Sequence, residues 1–382
     1  FVTFDEKYMN IAIKLAKKGV ANSFPNPSVG CVIVECDKKS YQNDKIVGYG
    51  FTGKGGRPHA EAIAVNRVSF KENKKYICFS TLEPCCHIGR DQSCVEKILK
   101  NPINEVVFAV KDPDKRVKGK GMKKLLKNGI IVRKGVLKND AIMLYKGYIM
   151  NKLKSRPYIT LKIANSLDGK IAYPGNKIKW ITNSASRRLV HHIRSESDAI
   201  LIGSNTLKVD NPLLDCRIKG LEGTSPIRII ISRKFDFPSN LNIFKSKKIK
   251  TIIFTTEKIN STILDTKKNN VSIFQIKLDD FKLKFILKKI ASIGVSNLLV
   301  EGGALIFGLF LKEGLVDKLM IFRSNFFIGS DGRDSIHEKN DSLTNNGNFF
   351  KLLDLFSLKD DHIEIYENKV TDNSIKKNIG VL

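Results

Sequence analysis

Long apolar runs are missing from the 382-residue chain. The longest, Ala304 to Leu311, falls far short of the roughly 20 residues that cross a bilayer. A membrane-spanning helix is thereby excluded, and no membrane partner is expected. The N-terminal residues show no basic region followed by an apolar segment and a cleavage site, so a cytoplasmic location is expected. The chain opens at Phe1 rather than Met, and a few residues are expected ahead of it. Seven cysteines, an odd number with no secretion signal, argue against a disulfide framework. Acidic residues are scarce: 38 Asp and Glu face 66 Lys and Arg, a net charge of +28 with a pI near 9.7. That balance raises nucleic acid as a partner. The basic residues, however, are mostly Lys scattered over both halves among Asn and Ile, and no stretch interleaves aromatics with Arg as single-strand grooves do. No nucleic-acid partner is expected, whereas a surface of this sign attracts an anionic small substrate.

Apolar residues make up 42% of the chain, enough to bury ordinary cores, and the length suits about two to three domains. From Asp5 to Lys18 the residues Tyr8, Met9, Ala12, Leu15 and Ala16 recur at helical spacing, until "PNPSVG" breaks the pattern ahead of the β-rich "CVIVE". The runs "KIVGYGFT", "KYICFSTLEP" and "NEVVFAV" alternate with helical stretches at 59–69, 94–100 and 119–128, which predicts a mixed sheet between helices. The basic segment "YKGYIMNKLKSRP" ends in Pro157, after which "YITLKIANS" begins a second series. The domain boundary is placed near residue 147, giving domains 1–146 and 147–382. In the second, "DAILIGS", "PIRIIIS", "KTIIFTT", "SNLLVEGG" and "DKLMIFRSNFFIG" read as strands of another α/β domain. The last fifty residues are polar, and "NDSLTNNGN" reads as a mobile loop.

Three cysteines, Cys85, Cys86 and Cys94, fall within ten residues in "TLEPCCHIGRDQSC", and upstream lies "GRPHAEAIAVNRV" with His59 and Glu61. One imidazole and two thiolates make a three-ligand zinc site with an open fourth position, the arrangement a catalytic zinc uses to hold water. H-x-E followed by P-C and a later Cys is the signature of zinc nucleobase deaminases, in which the Glu is no ligand but carries protons from water to the leaving ammonia. The usual P-C-x-x-C would put the second Cys at Ile88; here eight residues separate Cys85 from Cys94. Adjacent cysteines point apart, so His59, Cys85 and Cys94 are taken as ligands and Cys86 as a packing residue. Residues two apart on a regular helix do not share a face, so His59 and Glu61 must sit at its very start. A structural zinc, or none, is the alternative.

At this point the sequence resembles the bifunctional riboflavin-biosynthesis deaminase/reductase family. "FPNPSVGCVIV", "HAE" and "TLEPCCHIGRDQSC" are similar to its N-terminal motifs, and "PYITLKIANSLDGK", "WIT", "DNPLL" and "VEGG" to its C-terminal ones, in order from about residue 8 to about 330. The resemblance implies a cytidine-deaminase-like three-layer α/β/α domain followed by a dihydrofolate-reductase-like α/β domain. The first would hydrolytically deaminate a diaminopyrimidinone carrying a ribosylamino phosphate to the corresponding uracil; the second would use NADPH to reduce ribosyl to ribityl. Carried over by position, His59, Cys85 and Cys94 bind zinc, Glu61 is the proton donor, and Asn26 helps hold the pyrimidine. Ala164, Trp180, Thr206 and Asp210 match dinucleotide contacts, and the stretch Gly303, Ala304, Leu305, Ile306, Phe307, Gly308 and Leu309 matches the one that holds its phosphates. Ile178, Arg194, Leu214, Arg217 and Glu301 match substrate positions, and Lys162 is a polar participant near the ribose. A homo-oligomer is compatible with the resemblance.

The residues themselves agree where they speak. "NLLVEGGALIFGLFL" is a strand, a Gly pair and a helix, whose free N–H groups make an anion site, although a Gly pair also serves any tight bend. It does not extend to G-x-G-x-x-G, which disfavours a Rossmann domain. Arg194 and Arg217 suit a phosphate by forked hydrogen bonds, although an isolated Arg is commonly a solvated one. Trp180 could be core, and "SLDGK" a turn. Two departures stand out. The family's "TPPC" becomes Asp91-Gln92-Ser93-Cys94, where Asp91 or Ser93 can still cap the following helix. Two residues before "WIT", where a polar residue is common, stands Ile178. Two other functions fit parts of the pattern: a polynucleotide deaminase, and a zinc-binding interaction module without catalysis, against which Glu61 counts.

Overall fold

The computed structural model describes residues 2–38, 41–87, 92–176, 180–236, 238, 240–258, 270–337, 343 and 349–379. They form two compact units. One runs to Lys154 and includes the end of the last helix from Lys376; the other is Ser155–Ile375. Among the described residues no helix is long and apolar enough to cross a membrane.

In the first unit, α1 (Phe4–Gly19) begins with a capping box: Thr3 Oγ1 accepts the Glu6 N–H, and the Glu6 carboxylate accepts the Thr3 N–H. Then come β1 (Gly30–Asp37), β2 (Lys45–Phe51), α2 (Ala60–Val65), β3 (Lys74–Leu82), α3 (Cys94–Leu99), β4 (Glu105–Val110), α4 (Lys120–Lys127), β5 (Ile131–Lys134) and α5 (Lys138–Lys154). The sheet order is β2-β1-β3-β4-β5, with β1 antiparallel to both neighbours and the remaining pairs parallel. Successive strand residues face opposite ways, which divides the core in two. Cys31, Ile33, Tyr76 and Cys78 pack with Ala60 and Ala64 of α2, Val95 and Ile98 of α3, and Leu125 of α4. On the opposite face α1 lies so close to Gly30 that a β-carbon there would sit 1.9 Å from the Ala12 carbonyl oxygen. There α5 is tied by a 2.5 Å hydrogen bond between Tyr145 and Thr81. This is the three-layer α/β/α sandwich expected from the sequence.

The second unit contains β6 (Tyr158–Asn165), β7 (Lys170–Ala172), α6 (Ser184–Glu196), β8 (Ala199–Gly203), α7 (Ser204–Asp210), β9 (Ile227–Ile231), α8 (Asn242–Lys245), β10 (Thr251–Thr255), β11 (Val271–Gln275) and α9 (Leu283–Ser292). It continues with β12 (Asn297–Val300), α10 (Ala304–Lys312), β13 (Lys318–Arg323), β14 (Arg333–Asp334), β15 (Phe350–Leu358), β16 (Asp361–Asn368) and the helix Lys369–Asn378. Nine strands form one sheet, ordered β11-β10-β9-β8-β12-β6-β13-β16-β15, parallel from β11 to β13 and antiparallel at β16 and β15. The parallel strands are near-continuous apolar runs because both faces are covered. Ile200, Ile202, Ile230, Ile253 and Leu299 make one layer beneath the helices, each contributing about 1.5–3 kcal/mol by burial.

Several elements differ from the sequence reading. The basic stretch at 145–157 is mostly helix: α5 buries Ala141, Ile142, Tyr145, Lys146, Ile149 and Met150 while Lys152 and Lys154 stay at the rim. Residue 147 therefore falls inside α5, and the chain changes unit at Lys154–Ser155. The C-terminal part, read as polar, supplies the β15–β16 hairpin, whose outer strand is rich in Leu and Phe yet largely exposed. β13 stops at Arg323 rather than running through "SNFFIG", because that segment bends to the "SLDGK" loop: Leu167 N–H bonds Phe326 O, and Asp168 accepts the N–H groups of Ile328 and Gly329. Apart from Leu343, "NDSLTNNGN" lies outside the described residues.

Candidate active sites

His59 is not in α2 but is its N-cap, in extended conformation (φ −68°, ψ 154°), and Glu61 is the second helical residue. That placement satisfies the requirement set by their spacing: the imidazole leaves along the incoming chain while the carboxylate leaves from the first turn. Cys85 follows β3, and Cys94 opens α3, whose N-cap Ser93 accepts the Glu96 N–H. Asp91, the other proposed cap, lies outside the described residues. The Nδ1 of His59 and the sulfurs of Cys85 and Cys94 lie within 4.8 Å of one another; His59 Nδ1 is 3.2 Å from Cys94 Sγ and 3.5 Å from Cys85 Sγ. Cys86 turns away, packing at the core with its thiol toward the Arg116 carbonyl.

The thiol of Cys85 is held down by hydrogen bonds from the Cys94 side chain, His59 and the Cys94 N–H, against its burial. The same contact with Cys85, with burial, holds the Cys94 thiol up. One imidazole nitrogen and two thiols, one of them predisposed to ionise, are a donor set that fits zinc. Glu61 is buried, 3% exposed, and burial pushes its carboxyl up against the pull of His59. Its Oε1 accepts the Ser80 hydroxyl at 3.2 Å, and its Oε2 lies 3.3 Å from Cys94 Sγ. The Glu61 carboxylate thus touches the donor set without belonging to it. Asn26 donates its amide to Gly56 O at 3.0 Å, which leaves its carbonyl oxygen to meet a ligand.

In the second unit Glu301 follows β12, and Arg194 comes from the last turn of α6. They pair through two parallel bonds, Nε to Oε1 at 2.8 Å and Nη2 to Oε2 at 2.9 Å. Burial alone would push the Glu301 carboxyl up, but Arg194 and Lys162 hold it down to about 2. Burial lowers Lys162 in turn. The remaining Arg194 nitrogen, Nη1, donates to the Asp215 carbonyl, which also meets His191 Nδ1. Arg217, more than half exposed, stands 3.3 Å from the Asp215 carboxylate. Leu214 sends its side chain into the core, 3% exposed, so a ligand would meet its backbone. Leu214 and Asn211 both have positive φ, 50° and 40°, at a cost of order 1–3 kcal/mol each. Leu214 packing and two hydrogen bonds between Asn211 and Asn242 hold this loop.

The turn Glu301–Gly303 brings α10 against the strand ends: a β-carbon on Gly302 would lie 2.7 Å from Ile306 Cβ. Gly303 caps α10 and Gly203 caps α7, neither with a side-chain hydrogen bond. Gly303 is close to Thr206, since a β-carbon there would be 3.3 Å from Thr206 Oγ1. Two open helix N-termini therefore converge beside residues expected at the dinucleotide, and this arrangement fits its phosphates. Within Gly303–Leu309 only the first turn offers free N–H groups; Phe307 donates to Gly303 O and, with Gly308, faces the core. Ala164 sits half-buried on β6, Asp210 is exposed at the end of α7, and Trp180 is 54% exposed with the Arg187 guanidinium 4.8 Å from its ring centre. Ile178 lies outside the described residues.

Residues 157–371 match the family described as RibD C-terminal domain, and residues 2–110 match the cytidine and deoxycytidylate deaminase zinc-binding region. The riboflavin biosynthesis protein RibD of Aquifex aeolicus is 38% identical over 318 residues, covering 83% of this chain and 86% of that protein. The chain belongs to the RibD family. The solved RibD of Acinetobacter baumannii superposes with a TM-score of 0.84 at 31% identity, covering 95% of this chain and 98% of that one. A Thermotoga maritima structure, titled a diaminohydroxyphosphoribosylaminopyrimidine deaminase/5-amino-6-(5-phosphoribosylamino)uracil reductase, gives 0.82 at 30% identity with the same coverage. Family membership makes the chain a bifunctional deaminase and reductase of riboflavin biosynthesis, with a cytidine-deaminase-like unit followed by the reductase unit, and with zinc and NADPH as cofactors.

Three polar residues at these sites escaped the sequence reading. Ser80 holds Glu61, and its signal was a hydroxyl on the face of β3 otherwise lined by Tyr76 and Cys78. His87, two residues after Cys85, buries an Nδ1 that has no partner among the described residues. Asp215 gathers His191, Arg194 and Arg217, and "LDCR" alone does not reveal that.

Proposed function

We propose that His59, Cys85 and Cys94 hold the zinc, that Glu61 is the proton carrier of the deaminase, and that Arg194, Arg217 and Glu301 lie at the substrate of the reductase. The substrates we assign are those for which the Thermotoga protein is named: the diaminopyrimidine bearing a phosphoribosylamino group, which consumes water and releases ammonia, and the resulting 5-amino-6-(5-phosphoribosylamino)uracil, which is then reduced. Zinc supplies the activation of water at neutral pH. Glu61 takes up a proton at its carboxylate and returns it at the departing amine, a role favoured by its burial and by the Ser80 hydroxyl that fixes Oε1. Asn26 orients the pyrimidine through its carbonyl oxygen.

In the reductase NADPH supplies the hydride. The α7 and α10 N-termini receive its phosphates, Trp180, Ala164, Thr206 and Asp210 line it, and Lys162 with the Arg194–Glu301 pair faces the ribose. We place the enzyme in the cytoplasm, where reduced dinucleotide is made, with no nucleic-acid or membrane partner and with homo-oligomer formation open to a sedimentation measurement. The observation that carries the reading is the buried Glu61 in contact with the three-donor cluster.

A coupled assay tests it: ammonia release from the diaminopyrimidine, then NADPH consumption, in wild type and in Glu61→Gln. The variant is expected to keep its zinc and to lose deamination by about 10²–10⁴-fold, while still reducing supplied uracil substrate. Zinc-loaded wild type that releases no ammonia would sink the assignment.

A further inference from the structure

We infer that Asp215 is a positioning residue of the reductase: anchored by its carbonyl and with a buried carboxylate oxygen, it forms an ion pair with the stem of Arg217 and so presents that arginine's free fork to the substrate phosphate. The inference rests on the reading of Arg217 as a substrate contact. The two arginines expected at the substrate are not equivalent in the structure. Every nitrogen of the Arg194 guanidinium is engaged, two with Glu301 and one with the Asp215 carbonyl. Arg217 is 56% exposed in its side chain and is held only at Nε, 3.3 Å from Asp215 Oδ1. Its two Nη groups, the pair that grips phosphate in a forked contact, have no partner among the described residues.

Asp215 is fixed by its backbone, since its carbonyl meets His191 and Arg194 and its neighbours Leu214 and Cys216 are buried. Arg228, on β9, is fully buried and makes one side-chain bond, from Nη1 to the Ile243 carbonyl; its Nε and Nη2 have no partner among the described residues. Burial pushes this guanidinium down to about 10, and the Asp215 carboxylate opposes that shift. The carboxyl oxygen Oδ1 is itself buried and makes no hydrogen bond among the described residues, so its contact with Arg217 Nε is an ion pair alone. Asp215 cannot follow Arg217 outward, so Arg217 must come to Asp215. Meanwhile the Asp215 carbonyl holds His191 and Arg194 of α6 at 3.0 and 3.2 Å. One residue sets the spacing between the arginine buried against Glu301 and the arginine open to the phosphate.

The test uses the full chain, with kcat and KM for the phosphorylated reductase substrate and for its dephosphorylated counterpart, in wild type, Asp215→Asn, Arg217→Ala and the double variant. Asp215→Asn is expected to raise KM for the phosphorylated substrate about fivefold, with kcat within about twofold and the dephosphorylated counterpart unaffected. In the Arg217→Ala background it should add nothing. An equal rise for both substrates, no rise, or full additivity with Arg217→Ala overturns the inference. If Arg217→Ala itself spares the preference for phosphate, the reading of Arg217 fails first, and that result is distinct from an Asp215 failure. Should Asp215→Asn not fold, Asp215→Glu keeps the charge but moves it by one methylene. A phosphate-specific rise in KM is expected there too, and wild-type values for both substrates would overturn the inference.

Discussion

The two catalytic units solve the same problem, holding charged groups in a fixed geometry, by opposite means. In the deaminase the working groups come from two short stretches, His59–Glu61 and Ser80–Cys94, placed by the ends of α2, β3 and α3. In the reductase they come from β6, α6, the loop after α7 and the β12–α10 turn, a span from Lys162 to Gly303. The first site is assembled by local chain geometry around one ion; the second is assembled by the whole sheet around a buried ion pair. A local site fails as a unit when one donor is lost, whereas a distributed site is damaged in proportion to the charge left uncompensated.

The sharpest way to break this comparison is to remove a donor. Cys94→Ser should abolish zinc retention and lower deamination by at least ~10³-fold, more than the 10–100-fold that loss of an outer partner costs. Reduction of supplied uracil substrate should stay within about twofold. Metal analysis together with separate assays of the two steps decides it, and parallel loss of both activities would show that the sites do not fail independently.

That contrast also explains what was legible. The donor set could be read because H-x-E and the P-C…C pattern lie in strand-to-helix turns, where sequence neighbours are neighbours in space. His87 and Ser80 were beyond reach there, and Ser80 required knowing which face of β3 looks at α2. In the reductase the strands were readable from apolar runs such as "AILIG" and "IRIII", because buried parallel strands have no polar face. The hairpin of β15 and β16 was not: β15 is rich in Leu and Phe, but it lies in a stretch that reads as polar overall, and its apolar residues are largely exposed. Helix α5 was obscured by its lysines, of which Lys152 and Lys154 lie exposed while Tyr145, Lys146 and Ile149 are buried. The convergence of His191, Arg194 and Arg217 on Asp215 depends on a loop in which Asn211 and Leu214 take positive φ, and no local motif announces it.

A second test damages the distributed site in its interior. Arg194→Ala leaves the Glu301 carboxylate buried without its forked partner, and such a loss typically costs 3–5 kcal/mol. The reductase unit should melt at lower temperature and its activity should fall with it, while zinc content and deamination persist. Thermal unfolding followed beside each activity checks this; unchanged melting would mean that Lys162 alone is enough to hold Glu301.

The gentlest test needs no substitution. Glu301 has its carboxyl lowered from the ordinary 4.5 to about 2, burial opposing and Arg194 and Lys162 prevailing. A folded-state value below the unfolded one means that the unfolded chain binds the proton first, so the stabilisation is fully present above about pH 4.5 and is lost as pH falls toward 2. The interval corresponds to roughly 3 kcal/mol at most. Glu61 stands on the other side of the comparison, with burial raising its carboxyl rather than an arginine lowering it. Acid should therefore loosen the reductase unit through Glu301, and Glu301→Gln should flatten that part of its stability profile between pH 4.5 and 2. If the profiles of wild type and variant fall in parallel, the buried pair contributes specificity of geometry and not acid-labile stability.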